Sequence, residues 1–379
     1  MPGKHAVLSP SSAPRWYHCQ RSARLCEQVP DEGSVYTAEG TEAHALCEYF
    51  LRQTVLGESC ADPRPEMHFY SPEMEEAAAG YTQYVMEQVL AFRAAGLDPQ
   101  VFVEQLLDLR AYVPQSAGTA DCVVIAGDIA LVIDFKYGFL PVSAESLQLR
   151  LYALGVCEMF SALYSFSTVR TAIYQPRLSS ISTAEISVKD LYAWAAEELA
   201  PRARLAFDGA GAFAVGDWCR FCKVRRNCRA LADHQLELAK YDFADPALLS
   251  DREIADVLTR VDALTAWAND VREFALSEAI KGHEYPGFKV VEGRTVRRFT
   301  DDAEVVSRVE AAGRDPYERK LLGVAALEKL LGKKDFTRIL GDLVTRPQGK
   351  PTLVPETDTR PELKSPQQDF QPVGTDLNG

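Results

Sequence analysis

No run of the 379 residues approaches the roughly 18 uninterrupted apolar residues that a membrane span needs. The opening stretch, residues 1–19, has no apolar core of the kind a secretory signal carries, so neither secretion nor a membrane anchor is expected. Positive charge is in short supply, with 41 Lys and Arg against 54 Asp and Glu and a formal net charge of −13. A wholly basic nucleic-acid coat is thereby excluded, while a local basic groove on an acidic body is not. The phosphate-binding pattern Gly-x-x-x-x-Gly-Lys-Ser/Thr is absent, so the chain is not a P-loop motor. There is no Ser-His-Asp or reactive-cysteine signature and no internal repeat. The nine cysteines are an odd count in a large chain, which argues against a disulfide scaffold and for reduced thiols in a cytoplasmic setting.

The periodicity that is present gives an alternating order of elements. Helices are predicted over Trp16–Leu25, from Thr37 through His44 to Tyr49, and over Pro72–Ala95. Strands follow at Val101–Leu109, Gly118–Ile125 and Ile129–Phe135, the last two joined by a hairpin turn at Ala126-Gly127-Asp128. A helix at Ala144–Phe160, strands at Thr168–Gln175 and Ile181–Val188, and a helix at Lys189–Ala206 complete an α/β (α+β) core with a mixed sheet. One long amphipathic helix is expected over Asp251–Ile280, and a hairpin over Pro286–Phe299. Three regions result: a core over 1–235, a helical and hairpin accessory domain over 236–345, and a Pro-rich extended or disordered tail over 346–379.

Two features carry chemistry. Asp121 sits in one predicted strand and Asp134 near the end of the next, so a hairpin brings the two carboxylates together. Lys136 lies two residues beyond Asp134 on the same face, and Phe135 turns into the apolar layer. Two carboxylates and an ammonium suit a hard divalent cation beside a polarised water or phosphate. Gln148 and Tyr152 share a helix face at i, i+4, and His44 places an imidazole on the helix upstream. The second feature is Cys219-x-x-Cys222-x5-Cys228, which reads as three thiolates of a metal site, with Cys19 as the best fourth. Spacing alone leaves iron–sulfur and four-cysteine zinc equally open. Residues 201–230 hold seven Lys and Arg against two Asp, a local basic patch in which Arg220, Lys223, Arg225 and Arg226 are candidate DNA contacts.

The strings GTEAH, GTAD, DFK and QLRLY, in that order, resemble the RecB-like branch of the PD-(D/E)XK nuclease superfamily. Within it, phrases such as RWYHC and VIDFKYG are similar to a phage- and prophage-encoded group. The resemblance implies a restriction-endonuclease-like core with a mixed central sheet flanked by helices. It implies metal ligands at His44, Asp121, Asp134 and the Phe135 carbonyl, holding Mg²⁺ or Mn²⁺. Lys136 would orient the water or stabilise phosphorane charge, with Gln148 and Tyr152 in support and Glu104 a weaker candidate acid. It also implies a [4Fe–4S] cluster on Cys19, Cys219, Cys222 and Cys228, with Zn²⁺ the alternative at that site. The expected activity is a metal-dependent deoxyribonuclease, an exonuclease of phage-type replication or recombination in the host cytoplasm. Its partners would be DNA, a single-strand binding or annealing protein or a helicase, and further copies of itself. The competing readings are a catalytically inactive DNA-end or single-strand binding protein and a structural subunit of a helicase or replisome complex.

Overall fold

The computed structural model describes residues 6–30, 33–237, 249–292, 299–317, 321–345, 354 and 357–361. Two short helices, α1 (Ala13–His18) and α2 (Ser22–Glu27), precede the longer α3 (Val35–Leu51) and α4 (Pro72–Ala94). Each long helix starts where a serine caps it. Ser34 accepts a hydrogen bond from the Thr37 amide and Ser71 from that of Met74, with Pro72 opening the first turn of α4.

Five strands form one sheet in the order β1 (Gln100–Asp108), β2 (Ala117–Ala126), β3 (Ile129–Phe135), β4 (Thr168–Gln175), β5 (Ser180–Ser187). Every neighbouring pair is antiparallel except β3 and β4. A parallel pair cannot be closed by a tight turn, and α5 (Leu147–Phe160) supplies the crossover. The β2–β3 turn is two residues long, and Gly127 adopts φ 62°, which a hairpin turn of that length requires. After β5, α6 (Val188–Trp194) runs through a π turn at Ala195–Leu199 into α7 (Ala200–Phe207), followed by α8 (Arg229–Leu236). The alternation read from the sequence thus becomes a mixed α/β fold, with a five-stranded central sheet flanked by helices.

The sheet is buried on both faces. One apolar layer joins Trp16, Leu151, Leu154, Leu191 and Leu199 to Val123, Ile125 and Val132; the other joins Leu46, Met74, Tyr81 and Val85 to Cys122, Val124, Ile133 and Phe135. Each fully buried large side chain contributes about 1.5–3 kcal/mol, so these layers hold the strand ends in place. Tyr81 also donates a hydrogen bond of 3.1 Å to the Ile133 carbonyl, fixing α4 to the strand that carries Asp134. Cys47, Cys122 and Cys157 are core residues, as their apolar surroundings in the sequence imply.

Contacts divide the chain into Met1–Ser277 and Glu278–Gly379. The first unit holds the sheet and nearly all of α9 (Asp251–Ile280), which Arg225 grips through Asp270 at 2.7 Å. The second holds α10 (Asp302–Ala311), α11 (Val324–Leu331) and α12 (Lys333–Leu340). Of the expected hairpin over Pro286–Phe299, residues 286–292 form no strand, and 293–298 lie outside the described residues. Most of the expected tail does too. Among the described residues no helix is long and apolar enough to cross a membrane.

Candidate metal centre

Register places three acids in a row. Cys122 pairs with Ile133, so Asp121 on β2 faces Asp134 on β3. Val103 pairs with Cys122 and Gln105 with Ala120, so Glu104 on β1 faces Asp121 from the other side. Like charges directly opposite one another destabilise a sheet, so this row is costly unless cations offset it. The backbone at Glu104 is strained as well: its φ of 50° drops it out of the ladder, which resumes unshifted at Gln105. A left-handed conformation at a non-glycine residue persists only where its surroundings enforce it, and such residues gather at functional sites.

Two cationic groups answer the row. His44, projecting from α3, places Nδ1 3.3 Å from Asp121 Oδ1. The other Asp121 oxygen, Oδ2, accepts the Phe135 amide at 2.7 Å. Lys136 continues the β3–β4 ladder by donating its amide to the Tyr174 carbonyl at 3.0 Å. Its ammonium lies 2.8 Å from Asp134 Oδ2, an ion pair to an atom that accepts no aligned hydrogen bond. Asp134 is 1% exposed. From α5, Gln148 Nε2 reaches Asp134 Oδ1 at 3.4 Å and Tyr152 Oη at 3.0 Å, so the i, i+4 pair acts as one bracket. Gly118 makes room for that bracket: a Cβ there would lie 2.8 Å from Tyr152 Cε1 and 2.7 Å from Pro10 Cγ.

The electrostatics follow from burial and these neighbours. Burial pushes Glu104 up, and the Asp121 and Glu48 charges push it further, to about 7. For Asp134, burial outweighs the Lys136 ammonium and the carboxyl is raised. At Asp121, burial opposes ionisation, but His44, Lys136 and the Phe135 amide together hold the carboxyl low. Burial pulls His44 down and the Asp121 carboxylate more than reverses it; burial also pulls Lys136 down, against Asp134 and Asp121, and both cations end up raised. A carboxylate held ionised beside a second, half-buried one near neutrality is a donor pair that a divalent cation would complete.

His44, Glu104 and Asp121 bring one ligand atom each within 4.8 Å of one another. Among the described residues, this is the set of three His, Cys, Asp or Glu side chains that meets in this way. An imidazole nitrogen and two carboxylate oxygens suit a first-row divalent cation. Two of the three, His44 and Asp121, are among the candidate ligands that the resemblance implied. Glu104, the lesser candidate there, joins them, whereas Asp134 is turned to Lys136 and Gln148. The three-residue turn Ala126-Gly127-Asp128 read from composition would set Asp121 against Ile133; Ala126 instead pairs with Ile129, so the turn is Gly127-Asp128 and Asp121 falls opposite Asp134. The β1–β2 register that adds Glu104 to the row has no tight turn to signal it.

The cysteines require a correction. Cys19, Cys219, Cys222 and Cys228 do not form the expected four-sulfur site for a [4Fe–4S] cluster or zinc. They border a cavity of about 20 Å³ shared with Arg15, Leu25 and Leu231, room for one water and not for a cluster. Cys222 Sγ faces instead Cys26 Sγ, 3.7 Å away. The Cys222 hydrogen bond lowers Cys26 to about 6 against the cost of burial, while Cys222 itself is raised. Of the basic residues proposed to meet DNA, Arg225 is spent on Asp270 and on the Arg220 carbonyl at 2.6 Å. Lys223 donates to the Val29 carbonyl at 3.4 Å. Trp218 stacks on His18 at 4.2 Å, and Phe221 is exposed.

Comparison with known proteins places the chain elsewhere than the RecB-like, iron–sulfur branch of the PD-(D/E)XK nucleases. The crystal structure of SSO0001 is similar over 56% of this chain and 93% of that one, at 14% identity and a TM-score of 0.26, too weak a likeness to support any inference. Residues 5–361 match a family described as a protein of unknown function, DUF2800. That match runs through both contact units and replaces a resemblance that rested on four short strings. Spanning nearly the whole sequence, it shows that the chain belongs to the DUF2800 family.

Proposed function

We propose that this chain is a divalent-cation-dependent hydrolase of DNA phosphodiester bonds. The observation that carries the reading is the row Glu104–Asp121–Asp134, flanked by His44 on one side and Lys136 on the other. Three acids placed in register at a cost to the sheet are poorly explained by folding alone, and a group that violates stability rules is where function is sought. His44, Glu104 and Asp121 would hold the cation, which would supply positive charge to offset that on phosphate and make water easier to deprotonate. The chain's own groups do the rest. The Phe135 amide fixes Asp121 so that its Oδ1 stays beside His44. Lys136, kept protonated by Asp134, is an ammonium placed to offset the charge that grows on phosphorus-bound oxygen. Gln148 and Tyr152 hold Asp134, and through it Lys136, in one geometry. No covalent nucleophile is needed: water oxygen bonds to phosphorus as the bridging P–O bond breaks.

The test is digestion of end-labelled single- and double-stranded DNA by the intact chain with Mn²⁺, with EDTA, and with Asp121→Asn in place of wild type. The expected result is cleavage that EDTA stops and that falls on the order of 10²-fold or more in the variant, the scale of losing one electrostatic element. DNA left intact at every divalent cation tried would overturn the reading, as would equal rates in wild type and Asp121→Asn.

A further inference from the structure

The loop that leaves β3 holds a large apolar tip in solvent. Phe139 is 62% exposed and Leu140 is 48% exposed, between Gly138 and Pro141. Single exposed apolar side chains are ordinary and need no explanation. This tip differs in being fastened from beneath. Gln175, 2% exposed at the end of β4, donates to the Gly138 carbonyl at 3.3 Å and to that of Leu140 at 2.9 Å, and accepts the Val142 amide at 2.9 Å. The Arg177 guanidinium lies 3.7 Å from the Tyr137 ring centroid and 4.9 Å from that of Phe139. Arg177 is itself held by Glu39 at 2.6 and 3.0 Å and by Glu73 at 3.1 Å. A free loop would fold its phenylalanine onto the surface; here buried amide bonds fix the backbone and leave the ring in water.

The position of the tip is as telling as its rigidity. Phe139 follows Lys136 by three residues, and Glu39, at the far end of the Arg177 bridge, precedes His44 by five on the same helix. The bridge therefore ties α3, which carries His44, to the loop that follows Asp134 and Lys136, and the tip projects from that loop. With a guanidinium near the Phe139 ring and most of that ring in water, what remains is a flat, preorganised π surface. Immobilising such a surface in advance removes the ordering cost that binding would otherwise carry.

We infer that Phe139 is a stacking platform for an unpaired base of a nucleic-acid strand whose backbone lies at the candidate metal centre. The substrate class is accordingly a single strand or a frayed end in preference to an intact duplex, whose bases are already stacked. This inference rests on the hydrolase reading for its location, but it is tested by binding as well as by cleavage. Full-length Asp134→Asn is titrated into a single-stranded oligonucleotide carrying 2-aminopurine, whose fluorescence falls on stacking. The same titration is made with Phe139→Ala and Phe139→Trp added to that background, and cleavage is followed in the two single variants of the active chain. Stacking predicts quenching by the parent, binding weakened about 5- to 100-fold in Phe139→Ala, and recovery in Phe139→Trp. In the active chain the loss appears in KM rather than kcat. Quenching without cleavage by wild type would leave the platform standing and remove the hydrolase. Cleavage with the same KM in wild type and Phe139→Ala would remove the platform and leave the hydrolase. A Phe139→Ala variant altered only in sedimentation would make the tip a contact between copies of the chain, and an oligonucleotide that neither binds nor is cut would overturn both readings.

Discussion

Replacing Glu104 with glutamine should change stability in opposite directions depending on whether a cation is present. Without metal, Glu104 faces Asp121 across the ladder and titrates near 7 against an ordinary value of 4.5. The folded-state pKa of this acid is raised. Below about 4.5 the group is protonated in both states and costs nothing; between there and about 7 the unfolded chain ionises first, and stability drains away as pH rises; above 7 the full cost is present. A shift of that size corresponds to roughly 3 kcal/mol for a fully buried group, and screening at this half-buried position cuts it to about 1–2 kcal/mol. Glu104→Gln keeps the shape and removes the charge. In EDTA it should match wild type at pH 4 and exceed it by about 1–2 kcal/mol at pH 8, a gain of a few degrees in Tm. In Mn²⁺ at pH 8 the order should reverse, because ligand binding to the folded state stabilises wild type by mass action and the variant has lost a donor. Denaturant titrations at the two pH values, with and without the cation, make the measurement. A variant weaker than wild type by the same amount at both pH values would mean the carboxyl is a structural bond, and equal stabilisation of both chains by Mn²⁺ would remove Glu104 from the centre.

Three other outcomes follow from the same geometry. Lys136→Ala strands the buried Asp134 charge and should cost about 3–5 kcal/mol in a urea melt at pH 7, whereas Asp134→Asn combined with Lys136→Met should recover most of that stability while cleavage stays lost. Gly118→Ala drives a methyl against Tyr152 and Pro10 and should destabilise by about 1–3 kcal/mol, measured as Tm, with a loss of cleavage that Gly118→Ser does not relieve. Diamide treatment at pH 7 should link Cys26 to Cys222, read by mass spectrometry of unreduced peptides; a link from Cys222 to Cys219 or Cys228 instead would refute the pairing.

What the sequence disclosed, and what it withheld, divides along the range of the interactions involved. Ile129–Phe135, Thr168–Gln175 and Asp251–Ile280 are read from periodicity with the bounds the structure has, because each is set by local pattern and by turn or cap residues at its ends. The nearness of Asp121 and Asp134 was legible from the hairpin, but their exact facing was not: Ala126 joins the ladder, so the turn has two residues instead of the three read from composition, and that one residue sets the register. Glu104 was only half legible. Its own stretch, Val101–Leu109, looks like any strand, and the left-handed backbone at Glu104 is not encoded by a glycine or asparagine. The cysteines failed for a related reason. Close spacing in sequence says that three thiols are near one another along the chain, but the direction of each sulfur is set by two 3-10 turns, Asp217–Phe221 and Arg225–Asn227, and by what α2 presents to them. Cys26 on α2, seven residues beyond Cys19, is the thiol that Cys222 meets. Arg177 had no local signal at all: it lies just past the end of β4, and its value appears only when the sheet brings it under the loop after Lys136 and the packing of α3 and α4 brings Glu39 and Glu73 to it. Residues that act through one element can be read from its period and caps, while a residue that joins three elements becomes visible only once those elements are assembled.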